Sequence, residues 1–94
     1  MDSLTRYMTN PTASCGDEHD GAVLFNPDTD DTIIVNLTGR ALWAFLETPR
    51  TIDEMVTYLV ETYRDVSAEQ AANDVTRFVQ SLAPDFLLET NDDA

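Results

Sequence analysis

The stretch from Gly21 to Trp43, GAVLFNPDTDDTIIVNLTGRALW, constrains the chain most, because it reads as a hairpin that runs directly into a helix. Ala22–Asn26 and Thr32–Leu37 are short runs rich in β-branched and aromatic residues, and Pro27-Asp28-Thr29-Asp30-Asp31 between them is turn chemistry. The second run ends at Asn36-Leu37-Thr38-Gly39, where Asn36 or Thr38 can cap the first amides of a helix. Two strands bury too little apolar surface to stand alone. The rest of the chain must cover them.

Three helical segments follow. Thr38–Leu46 places Leu42, Phe45 and Leu46 on one stripe before Pro49 interrupts it. Thr51–Tyr63 opens with a capping box, Thr51-Ile52-Asp53-Glu54, and carries Ile52, Met55, Val56, Leu59, Val60 and Tyr63 at the helical period. Ser67–Leu82 opens with a second box, Ser67-Ala68-Glu69-Gln70, and its stripe is Ala71, Ala72, Val75, Phe78, Val79 and Leu82. Pro84 ends it, and Phe86-Leu87-Leu88 reads as an extended segment returning to the core. Before the hairpin, Leu4–Thr9 alternates as a short strand and Asn10–Asp20 is loop by composition. The chain therefore reads as one small domain over residues 1–94, its first twenty residues partly loop and residues 90–94 a frayed tail.

A strand, two hairpin strands and three helices make an α+β fold: a three-stranded antiparallel sheet followed by three helices, in the order of a winged helix-turn-helix variant with its wing at the front. That topology invites a DNA-binding regulator as an alternative function. Charge opposes it. The chain holds five arginines, no lysine and eighteen acidic residues, a formal net charge of −13. The last helix carries Glu69 and Asp74 beside Arg77, and the wing tip carries Asp28, Asp30 and Asp31, so the surfaces that would meet phosphates are net acidic. The same charge disfavours anionic membranes and favours a basic peptide or the basic face of another protein. No run approaches the length of a membrane span, and the first residues lack a signal peptide's charged and apolar regions, so the chain reads as cytoplasmic.

Catalytic and metal chemistry find little purchase. Cys15 and His19 are the only residues of their kinds, and two ligands do not close a tetrahedral site. As a catalytic pair they have no third, orienting group. The acidic turn from Asn26 resembles the start of a calcium loop, but Asp31 stands where that loop needs glycine and Leu37 where it needs a bidentate glutamate. We expect no catalytic residues, no metal and no cofactor.

Several of these pieces together resemble the PqqD-like family, the small precursor-peptide recognition elements named for pyrroloquinoline quinone biosynthesis. They are GAVLFNPD, then IVNLTGRALW, then RTIDEM, then Tyr63, then NDVTRFV, over roughly Asp20 to Glu89. The most specific part is Val35, Asn36, Gly39 and Trp43, with Asp74-Val75 and Phe78 in the last helix. The resemblance implies a chain that holds the leader of a ribosomally made precursor peptide and presents it to a modifying enzyme, often a radical S-adenosylmethionine enzyme. Physically, that needs an exposed strand edge beside an apolar groove. Thr32, Ile33, Ile34, Val35 and Asn36 can supply the edge. Val75, Phe78 and Leu82 can supply apolar contact, and Asp74 and Arg77 polar selectivity. Affinity in the micromolar range suits a peptide that must also be released.

Each of these residues also has a plainer reading. Ile33, Val35, Phe78 and Val79 are spaced as core residues are. Alternation puts Ile33 and Val35 on one face and Ile34 on the other, without fixing which face meets the helices. Trp43 reads as core or core edge, Asn36 as the fixer of the strand-to-helix turn, and Asp74 with Arg77 as a solvated helix face. The peptide reading therefore rests more on the backbone of Thr32–Asn36 than on any one side chain.

Overall fold

The computed structural model describes residues 5–91. In chain order the elements are β1 (Thr5–Thr9), β2 (Ser14–Glu18), β3 (Gly21–Asn26), β4 (Asp31–Asn36), α1 (Leu37–Phe45), β5 (Arg50–Thr51), α2 (Ile52–Thr62), α3 (Ala68–Leu82) and β6 (Leu87–Asn91). The strands form two three-stranded antiparallel sheets, ordered β2-β3-β4 and β5-β1-β6. The fold is α+β, with the three expected helices.

The hairpin and the helices form where local chemistry places them. Asn36 caps α1, its side-chain oxygen accepting the Gly39 amide at 2.9 Å. At α2 both halves of the box close: the Thr51 hydroxyl accepts from the Glu54 amide at 3.1 Å and the Glu54 carboxylate from the Thr51 amide at 2.9 Å. At α3 only the forward half forms, the Ser67 hydroxyl accepting the Gln70 amide at 3.1 Å. Gly21 lies at φ 152°, and a Cβ there would fall on the Val35 carbonyl oxygen, so glycine lets β3 and β4 meet at this end.

The sheets depart from the sequence reading in four places, one of them β5, a two-residue strand at the break after α1 that pairs with β1. The stretch read as loop contains β2, paired with β3 from Ser14↔Phe25 to Glu18↔Gly21. It is an edge strand exposed along its length, so it needs no apolar alternation. β1 does not join the hairpin. It pairs with β6, Met8 opposite Leu88 and Tyr7 opposite Glu89, because the segment after Pro84 returns as a full strand. Thr90 and Asn91, expected to fray, continue that ladder opposite Arg6 and Thr5. The remainder of the expected tail, and Leu4, lie outside the described residues.

The core runs between the sheets and the helices. Leu24, Leu42, Leu46, Met55, Leu59, Val75, Leu82, Phe86 and Leu87 are all at most 2% exposed, and Trp43 joins them. Val60 sits at the margin of the α2 stripe and reaches solvent. One buried carboxamide ties the layers together. Asn26 donates through Nδ2 to the Asp85 carbonyl at 2.6 Å and accepts the Asp28 amide at 2.8 Å, linking the hairpin turn to the α3–β6 connection. That use of Asn26 makes the acidic turn an Asx turn. No described helix is long and apolar enough to cross a membrane.

Candidate functional site

Among the described residues β4 pairs with β3 on one side only, so the backbone along its other side is an open edge. Its side chains alternate as expected, and the structure decides the face. Val35 is 9% exposed and turned toward the helices with Ile33, whereas Ile34 is 79% exposed.

Beside that edge lies a groove of about 350 Å³, with β4 as one wall, the start of α1 as its end and α3 as the other wall. Ile33, Ile34, Val35 and Asn36 line it from β4, and Asp74, Arg77, Phe78 and Leu82 from α3. Two of the ten residues expected here do not line it. Thr32 lies on β4 beyond the groove, and Val75 is fully buried on the inner face of α3. Phe78 and Leu82 are themselves at most 9% exposed. They form a floor rather than side chains free to wrap a ligand.

Four lining residues escaped the sequence reading: Thr38, Gly39, Leu42 and Ser81. Ser81 was within reach, since it follows Asp74 by seven and Arg77 by four residues and so shares their helical face. Gly39 was named for its motif, but its role is steric. A Cβ at Gly39 would stand 2.8 Å from the Val35 Cβ and 3.5 Å from Phe78 Cε1. Glycine is what lets α1 close the end of the groove against both walls.

The groove carries one charge of each sign. Asp74 and Arg77 pair at only 3.8 Å, with Arg77 77% exposed, so both remain open to a ligand. A tighter pair braces the far edge of the same sheet. Arg40 on α1 grips Asp17 on β2 with two bonds, Nε at 2.7 Å and Nη2 at 2.9 Å. The bonds to Arg40 hold the Asp17 carboxyl below the usual carboxylate range. Cys15, next to it, has its thiol pushed up by partial desolvation and by Asp17, the opposite of what a nucleophilic cysteine needs. Among the described residues no three His, Cys, Asp or Glu side chains gather as metal ligands would.

The sequence model of the family described as Coenzyme PQQ synthesis protein D (PqqD) matches residues 21–88. The chain belongs to the PqqD family. The matched span takes in the whole hairpin, all three helices and every residue lining the groove. Among solved structures, the PqqD-like fold seen here is similar to one titled "Lasso peptide synthetase B1 complexed with the leader peptide", at a TM-score of 0.71 and 20% identity. The alignment covers 87% of this chain and 96% of that one. At that identity the likeness is one of fold. No curated protein matches the chain significantly.

Proposed function

We propose that this PqqD-family chain binds the leader of a ribosomally made precursor peptide as an added strand on β4 and presents it to a modifying enzyme. The observation that carries the proposal is the unpaired β4 edge facing α3 across a groove. An extended peptide laid there satisfies backbone donors and acceptors along Thr32–Asn36, while alternate side chains reach between Val35 and Phe78. Family membership and the likeness to a domain solved with a leader peptide support the reading. The role is non-catalytic. The partner enzyme that the family points to is of the radical S-adenosylmethionine kind, and the exchange takes place in the cytoplasm, where precursors are made.

The test is an NMR titration of the ¹⁵N-labelled chain with a synthetic leader of the precursor peptide encoded beside it. Shifts concentrated in Thr32–Asn36 and along Asp74–Leu82, saturating at micromolar peptide, are the expected result. An Ile34→Asp variant should stay folded, because that side chain is 79% exposed, and should bind at least about tenfold more weakly. A folded parent whose β4 amides do not move overturns the proposal.

A further inference from the structure

At the other end of α1 lies a second, shallower notch of about 340 Å³ that shares no residue with the leader groove. Its bed is a ladder of planar groups. The Arg50 guanidinium carbon stands 4.2 Å over the centre of the Phe45 ring. The Tyr58 ring stacks on Phe45 with centres 4.3 Å apart and planes 10° from parallel. Phe45 therefore carries both a guanidinium and an aromatic ring in direct contact.

The rim of the notch is acidic, with Asp53, Glu54 and Glu61 all on α2. Glu54 is already engaged, accepting from the Thr51 amide at 2.9 Å and from Arg6 at 3.1 Å. Asp53 and Glu61 are exposed and have no ion-pair partner among the described residues. Eight residues of helix separate them, ~12 Å along the axis, with Tyr58 between. One cation cannot span that distance, and two on a single segment can.

The chemistry selects the occupant. An aromatic ladder that already holds one guanidinium, flanked by two unpaired carboxylates, suits a planar cation better than a neutral or anionic group. The net charge of −13 adds a long-range field that draws a basic segment in. We infer that this notch docks an arginine-bearing segment of a partner protein, one guanidinium on Tyr58 and Glu61 and a second cation at Asp53. Because the notch and the leader groove take opposite ends of α1, both can be filled at once. The inference goes beyond leader binding and does not depend on it.

The test uses the labelled full chain and an acetylated, amidated Arg-Gly-Gly-Gly-Arg peptide, whose arginines reach ~13 Å apart when extended. The same peptide with citrulline for arginine, equal in shape but neutral, is the control. We expect saturable shifts between Phe45 and Glu61, an unmoved Thr32–Asn36, and at least about tenfold weaker binding of the citrulline peptide. Asp53→Asn with Glu61→Gln should weaken the arginine peptide about tenfold. Tyr58→Leu, which keeps an apolar cover on Phe45, should weaken it too. Absence of saturable binding, equal binding of the citrulline peptide, or full affinity in the carboxylate variant each overturns the inference. The leader titration reads other amides, so either result can fail without the other.

Discussion

Replacing Gly39 with alanine sets two effects of opposite sign against each other at the end of the groove proposed for the leader. Alanine is favoured over glycine inside a helix by about 1 kcal/mol, and by less in a first turn such as this. Against that, the new methyl would stand 2.8 Å from the Val35 Cβ. Carbon atoms pack best at about 3.5–4.0 Å, so the overlap is close to 1 Å. Val35 cannot swing aside, because it is 9% exposed and held opposite Ala22 in the ladder. Such overpacking costs about 1–3 kcal/mol. Sterics should win by about 1 kcal/mol, lowering Tm by roughly 4–8 °C for a chain of this size. Relief of the overlap separates α1 from β4, so leader affinity should fall as well, by about tenfold. Gly16→Ala is the control. The nearest atom to a Cβ there is the Val23 carbonyl oxygen at 4.0 Å, and Tm should hold or rise. Thermal melts followed by circular dichroism, with the leader titration repeated on each variant, decide the matter. A Gly39→Ala protein that melts at or above the parent and binds leader equally well refutes the steric argument.

Thr51→Ala removes the forward half of the only reciprocal box among the described helices and should cost about 1 kcal/mol, while Thr51→Ser should restore most of it; urea denaturation reads the difference. Arg40→Gln removes the group that holds the Asp17 carboxyl low, so the Asp17 midpoint, followed by NMR, should move up. A carboxyl depressed in the folded state adds stability above its unfolded pKa and loses it as pH falls through the folded one. The melting difference between parent and Arg40→Gln should therefore be present at neutral pH, shrink with salt, and vanish in strong acid. A difference that grows on acidification would reverse that assignment.

The elements that sequence made legible are those whose causes lie within a few residues. Asn36, Thr51 and Ser67 each cap a helix because a side-chain oxygen meets an amide three residues on, an interaction written into adjacent positions. The α3 stripe of Val75, Phe78, Val79 and Leu82 was legible because burying one helical face demands that period. β2 was not, since an exposed edge strand needs no apolar alternation, and the β1–β6 pairing was not, since nothing local distinguishes partners some eighty residues apart.

The candidate site divides along the same line. Alternation in β4 determined that Ile33 and Val35 share a face opposite Ile34, and helical period determined that Asp74, Arg77 and Phe78 share one on α3. That those two faces meet across a groove was a tertiary decision, as was the burial of Val75 beneath it. So were the contact of Gly39 with Val35 and the stack of Phe45 on Tyr58. Periodicity specifies which residues point the same way along one element. Only packing between elements brings two such faces within a few ångströms, because that distance is set by the volumes of the side chains that fill the space between them.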